Sequence, residues 1–425
     1  MSRIRKLDAL EILDSRGRPT LKVRMELEGS GGIVCSASVP SGASTGHAEA
    51  RELRDGDKQR YGGMGCRKSV EHVCGIIADA LYGEDFHDQQ QLDQRLLDLD
   101  GSADKSRLGA NTILGCSLVF ARAQALEARL PLHRHFAGMI GQNGADRLPR
   151  PTINLFSGGK HAGGQAAIQD VLIVPAADTM DRALAQSWEV WQAAARLIRD
   201  ELGMRALTAD EGGLAPAVDS DEQLLDLACR AIQAAGLEPG RDIFLALDVA
   251  ASHFYQDSLY NLQGQALTSV GMVDLLQKWS RIFPLVSIED GLAEDDWDYW
   301  PQLRQQVDHS CLILGDDLLC TTPARIQRAI QTHSANALLL KVNQVGSLSE
   351  ALESLRLARQ GGWQVTVSAR SGETEDDWLA DLAVGWRGDQ IKIGSITQSE
   401  RLSKYNRLLE IEKDCGFPLN PWPLK

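Results

Sequence analysis

A chain of 425 residues, 43% of them apolar and 24% charged, can bury a large core and is too long for one ordinary small domain, so two domains are expected. Its 44 basic and 58 acidic residues leave a net charge of -14 with no basic block, which argues against nucleic-acid or anionic-membrane partners. The eight cysteines form no CxxC pair, and no segment reaches the roughly 18 uncharged apolar residues of a membrane span, so reduced thiols in a cytoplasmic protein are expected.

After the turn Asp14-Ser15-Arg16-Gly17-Arg18-Pro19, the residues Leu21, Val23, Met25 and Leu27 alternate with Lys22, Arg24, Glu26 and Glu28. That period of two predicts a half-exposed strand in an opening antiparallel sheet. VPSGASTG, residues 39 to 46, is a loop of small residues able to close over a site. From about 66 to 135 the pattern is helical, GANTILGCSLVFARAQALEARL most clearly, and LPRPTINLF then leads into a strand. The domain boundary is placed near 140, giving units over 1–140 and 141–425.

Beyond it, apolar runs end one after another in Asp248, Glu289, Asp316, Lys341 and Arg370, and Lys392 sits inside DQIKIGS. The spacings suit repeated βα units, and the longest, after Asp248, has room for a hairpin around 255–267. Thr322-Pro323 offers a helix cap with a first-turn proline, and Ser347-Leu348-Ser349-Glu350 a capping box. Charges gathered at the carboxyl ends of successive strands predict a β/α barrel. The alternative, a doubly wound open sheet, would want a phosphate-binding glycine fingerprint that the chain lacks.

Three carboxylates, Asp248, Glu289 and Asp316, converging on one face would repel one another unless a cation held them. With no histidine or cysteine in the set, a hard divalent ion such as magnesium is the expected partner; capping or lysine pairing is the bland alternative. Lys341 and Lys392 face those acids, and a lysine amid cations and apolar walls loses its proton readily enough to act as a base. Arg370 and Ser371 follow the strand ending near Val367, and with the free N–H groups of an ensuing helix they suit a phosphate. The competing reading is an arginine paired with Glu373 or Asp376. SGGKHAGGQAAIQD, with His161, Gln169 and Asp170, and TADEGGLAP, with Asp210 and Glu211, read as loops at the mouth of the site.

DSRGRPT (14–20), PSGASTGHAEARELRDGD (40–57), GANTILGCSL (109–118), GGKHA (158–162), ADEGGLAP (209–216), SIEDGLAEDDW (287–297), GDDL (315–318), KVNQVGSLSE (341–350), RSGETED (370–376) and IKIGS (391–395) together resemble the enolases, over essentially the whole chain and in order. The resemblance implies an α+β amino-terminal domain before a β/α barrel, and a magnesium-dependent, reversible dehydration of 2-phosphoglycerate to phosphoenolpyruvate in glycolysis, by a homodimer. A lysine or histidine base with one or two magnesium ions is general to that superfamily. By position, Lys341 is similar to the base that removes the proton alpha to the carboxylate, and Glu211 to the acid that protonates the departing hydroxide. Lys392 is similar to the carboxylate-holding lysine, Asp248, Glu289 and Asp316 to the ligands of a first magnesium, and Ser44 to the ligand of a second. Arg370 and Ser371 match phosphate contacts, and Gln169, Asp170 and His161 match pocket positions.

Two positions depart from the family pattern. The usual S-H-R-S-G-E-T carries Ala369 in place of its histidine, and the usual I-Q-E is Ile168-Gln169-Asp170, shorter by one C–C bond of about 1.5 Å. Gly164 stands where the family has asparagine after HAG. Both main changes lie on the leaving-group side. They leave open a working enolase, a relative acting on a different acid with an alpha proton, and a weak catalyst kept for binding.

Overall fold

The computed structural model describes residues 2–42, 46–141, 145–307 and 310–422. An antiparallel sheet opens the chain, built from β1 (Ser2–Leu13), β2 (Pro19–Leu27), β3 (Cys35–Ser38) and β4 (Asp85–Phe86) in the order β3-β2-β1-β4. The expected alternation is observed: Leu21, Val23, Met25 and Leu27 are fully buried. They are covered by the helix Ala110–Glu127, which packs on β2 and β3. Its approach is close enough that a Cβ on Gly115 would lie 2.5 Å from Val23 Cγ2, so this helix needs glycine at its point of contact.

The rest of the chain forms a closed eight-stranded barrel. Its strands are β5 (Arg150–Ser157), β6 (Asp170–Pro175) and β7 (Ile243–Asp248), then, after a small meander of β8 (Tyr255–Gln256), β9 (Leu259–Leu262) and β10 (Gln265–Leu267), β11 (Leu285–Glu289), β12 (Leu312–Gly315), β13 (Ala337–Leu340), β14 (Gln364–Ser368) and β15 (Gln390–Gly394). The meander is three strands where the sequence suggested a hairpin. β6 runs antiparallel to both β5 and β7, so the barrel is not the uniform βα repeat that the strand-end pattern suggested. Asp170, read from sequence as a loop residue, is the first residue of β6 and pairs with Ser157 and Asp248.

The helix signals held unevenly. Ser347 caps the helix Leu348–Gln360 by accepting the Glu350 N–H at 3.3 Å, while its own hydroxyl donates to Glu350 at 2.6 Å. Thr322 precedes Pro323 as expected, but its hydroxyl donates to the Cys320 carbonyl and does not cap the helix Pro323–Thr332.

The two regions are stitched together over the barrel mouth. Ser41 and Gly372 exchange both backbone hydrogen bonds, at 2.8 and 2.9 Å, and Ser15 N–H donates to the Glu373 carbonyl at 2.8 Å. A Cβ on Gly372 would lie within 2.3 Å of Asp14 Oδ2 and 2.7 Å of the Ser41 carbonyl. Glycine at 372 is what lets the 14–16 turn sit against the 370–373 segment. That segment does not open directly onto a helix: the helix Trp378–Gly385 begins later, so the free helical N–H groups expected beside Ser371 are absent there.

Candidate active site

The strand ends bring the predicted charges into one buried cluster. Lys392 Nζ donates to Asp248 Oδ2 at 2.7 Å and to both Glu289 oxygens at 2.8 and 2.9 Å. Lys341 Nζ is in contact with Asp316 Oδ2, whose other oxygen accepts from Gln344 Nε2 at 2.9 Å. Gln169 Nε2 donates to Asp248 Oδ2 at 2.9 Å. His161, Gln169, Glu211, Asp248, Asp316, Lys341, Ala369, Arg370, Ser371 and Lys392 all line the same pocket. Of the residues singled out from sequence, Ser44 lies outside the described residues.

The backbone turns sharply where the strands end. Ala250, Asp290, Cys320 and Thr321 all adopt left-handed conformations, with φ of 47°, 43°, 46° and 51°, which costs energy for residues with a Cβ and persists where surroundings enforce it. At Asp290 the enforcement is visible: its carboxylate accepts the N–H groups of Asp316 and Asp317 at 2.9 and 2.7 Å. Asp290 thereby fixes the chain that presents Asp316.

The electrostatics suit a divalent cation. Burial, and then the neighbouring charge of Asp248, push the Glu289 carboxyl well above its ordinary range. Burial and Asp316 likewise push Asp317 up to about 8. Asp290, Asp316 and Asp317 each offer an oxygen within 4.8 Å of the others, a group that shares only Asp316 with the expected triad, since Asp248 and Glu289 converge on Lys392 Nζ. Crowded, buried, oxygen-only donors of this kind are what a hard dication relieves. The residues present therefore fit magnesium.

Lys341 departs from expectation. Burial lowers its proton affinity, but Asp316 more than offsets that and the net shift is upward. With Asp316 against it, Lys341 is an ammonium ion.

Across the pocket, Asn154 Nδ2 donates to Glu211 Oε2 at 3.1 Å, and Ser157 Oγ donates to Asp170 Oδ1 at 2.7 Å. Burial raises the Glu211 carboxyl, but Arg401, His161 and the two lysines outweigh it and hold it below the usual range. His161 Nδ1 is 3.4 Å from Asp170 Oδ2. Burial would discharge this imidazole; Asp170, Glu211 and Asp248 instead raise it to about 9. A raised folded pKa adds stability that is complete below the unfolded value near 6.5 and lost as pH rises through 9. His161→Gln is thus expected to cost of the order of a few kcal/mol at pH 6 and almost nothing above pH 10. Denaturant melts of both proteins at the two pH values check this, and a pH-independent difference would count against a charged His161.

Several supporting residues had no signal in the sequence. Arg370 pairs with Glu49 of the amino-terminal region at 3.1 Å and with Asn343 Oδ1 at 3.1 Å, not with the side chains of Glu373 or Asp376. Glu373 instead accepts the Arg370 N–H at 3.0 Å. Arg16 Nη1 donates to Ser371 Oγ at 3.0 Å. Arg401, fully buried, donates to the carbonyls of Arg370, Ser371 and Ile393 at 2.7, 2.7 and 3.0 Å, tying the Arg370 segment to β15 from below. These partners lie far away in sequence, so only the closed barrel reveals them.

A β/α barrel with lysines, carboxylates and a cation-compatible acid cluster at one mouth defines a metal-assisted acid–base enzyme. Comparison with known proteins narrows this. Residues 4–136 match the family model described as the enolase N-terminal domain, and residues 145–418 match the enolase C-terminal TIM barrel domain. The chain is also 46% identical over 419 residues to the protein called Enolase 1 of Methylococcus capsulatus, covering 98% of each. The chain belongs to the enolase family, and its activity is that family's: a hydro-lyase, phosphopyruvate hydratase, acting in glycolysis. Among the described residues no helix is long and apolar enough to cross a membrane.

Proposed function

We propose that Lys341 is the general base and Glu211 the general acid of the dehydration of 2-phosphoglycerate, with Asp248, Glu289 and Asp316 holding magnesium. The observation that carries this reading is the pairing of Lys392 with Asp248 and Glu289 and of Lys341 with Asp316, with Glu211 lining the same pocket. When bound, magnesium supplies positive charge against the dianion that develops at the substrate carboxylate. Asp316 can serve a metal only by loosening its hold on Lys341. So released, Lys341 keeps Arg370 and Lys392 as cationic neighbours, both of which depress its proton affinity, and it can accept the alpha proton. Lys392 holds the substrate carboxylate. Arg370 and Ser371 hold the phosphate, with Gln169 and His161 completing the pocket.

Glu211 must carry a proton to release hydroxide. The cations that now hold it ionised are those which an anionic substrate would neutralise, so binding favours its protonated form. In the direction of hydration the same carboxylate draws a proton from water. Asp170 keeps His161 charged, and this imidazolium is the cation on the leaving-group side where Ala369 offers none.

The same reading includes a second magnesium ion held through Ser44, a homodimeric assembly in the cytoplasm, and domain limits of 1–140 and 141–425. The family resemblance supports each of these. Phosphoenolpyruvate formation from 2-phosphoglycerate, measured with magnesium and with a chelator, tests the central claim: turnover should require the metal, and metal-independent turnover would overturn the assigned ligands. Ala369 lines the pocket, and its methyl group offers no imidazole there. Ala369→His is accordingly expected to raise kcat by several-fold to about tenfold; an unchanged or lower kcat would count against the leaving-group account.

A further inference from the structure

Away from the barrel mouth, three helices bring a thiol, an imidazole and a carboxylate together. Cys415 closes the helix Ser399–Cys415, and its Sγ lies 3.8 Å from His133 Nε2, on the helix Leu132–Met139. The other ring nitrogen, His133 Nδ1, is 3.5 Å from Asp381 Oδ1, on the helix Trp378–Gly385, near it without the geometry of a hydrogen bond. His133 is only 3% exposed, so its ring is fixed by packing. Asp381 is fixed too: Arg407 Nε and Nη2 donate to its two oxygens at 2.8 Å each, and the His133 N–H donates to Oδ1 at 3.1 Å. Burial raises the Asp381 carboxyl, but Arg407 and His133 outweigh it and hold it ionised.

A carboxylate facing Nδ1 favours the tautomer with its proton on that nitrogen, which leaves the Nε2 lone pair towards the thiol. This is the order of groups that activates a nucleophilic cysteine. We propose that Cys415 is a reactive thiol, activated by His133 and oriented through Asp381, that hydrogen peroxide converts to a sulfenic acid. His133 takes the thiol proton, the thiolate attacks one peroxide oxygen, and the O–O bond breaks as the S–O bond forms. The departing hydroxide recovers the proton from the imidazolium and leaves as water, so sulfur is oxidised by two electrons and peroxide reduced by two.

Access and competition support the assignment. Cys415 is half-buried, which admits a small oxidant. Burial pushes the thiols of Cys66 and Cys229 up to about 11 and raises those of Cys35, Cys116 and Cys320 as well. The exposed Cys74 has its Sγ 3.9 Å from the Ala9 carbonyl, an acceptor that cannot remove a proton. Other charges near the thiol are Arg407, which pairs with Glu410 at 2.9 Å, and the adjacent Lys413 and Asp414. The carboxyl end of the helix itself opposes a thiolate, and the His133 imidazole is the acceptor beside it that would take the proton.

The test treats the intact protein with limiting hydrogen peroxide in the presence of a dimedone-type sulfenate trap and follows each cysteine by peptide mass spectrometry. Cys415 should be trapped at least about tenfold faster than Cys74, and His133→Asn should slow trapping at Cys415 about tenfold without changing Cys74. Equal rates at the two cysteines, or an unaffected rate in the variant, would overturn the proposal. Should that variant misfold, iodoacetamide alkylation of the unaltered protein decides the matter. Cys415 should be alkylated at least about tenfold faster than Cys74 at about pH 7, and equal rates would refute the pairing.

Discussion

Lys341→Ala is expected to abolish exchange of the alpha proton of 2-phosphoglycerate with solvent, and to reduce dehydration by about 10⁴-fold, the upper end of what a positioned base contributes. Lys341 follows the last residue of β13, its N–H donates to Thr321 Oγ1 at 3.0 Å, and the helix Val342–Val345 starts immediately after it. Backbone and side chain are thus held independently, and the alanine variant should fold. Deuterium incorporation from heavy water, read by mass spectrometry of the recovered substrate, separates proton abstraction from elimination. Exchange that persists in the variant would identify some other base.

Glu211→Gln should produce the complementary defect. Its amide still accepts from Asn154 and fills the same volume, but it has no proton to give. Dehydration is expected to fall by about 10² to 10⁴-fold while alpha-proton exchange, which depends on Lys341, continues at a rate near that of the unaltered protein. Loss of both reactions together would mean that Glu211 positions substrate and does not act as the acid. The pair of variants therefore assigns one proton to each of the two residues.

The barrel was legible because strand ends carry charge in a rhythm that survives in one dimension: Asp248, Glu289, Asp316 and Lys341 each close or follow an apolar run. The alternation through Leu21 to Leu27 announced the opening sheet in the same way. What sequence could not convey was reciprocity between distant segments. Glu49 looks like one acid in a charged loop until Arg370 is found beside it, and Arg401 looks like an exposed helical arginine until its three carbonyl partners appear. The upward shift of Lys341 follows the alternative weighed beside the base reading, pairing with one of the three acids, and only the folded chain shows that Asp316 is the one abutting it. The reversed direction of β6 was hidden because an apolar run such as VLIVP reads identically whichever way it crosses a barrel.

That reversal shapes how the mouth can vary. In an ordinary βα unit the loop at the carboxyl face hands the chain to an outer helix, so a change in loop length is transmitted to the packing outside. Between β5 and β6 the chain leaves the mouth and returns to it. Gly158 N–H bonds to the Gln169 carbonyl at 2.8 Å and Gly159 N–H to that of Ala166 at 2.9 Å, above the Ser157–Asp170 pair. The segment 158–169 is therefore a flap rooted at both ends in the barrel wall, which carries His161 and Gln169 into the pocket while its Ala167 and Ile168 N–H groups bond to Asp221, at the start of the helix Asp221–Ala234, at 3.0 and 3.2 Å. Drift at Gly164 has a ready home there, since a Cβ at that position would meet nothing within 4 Å.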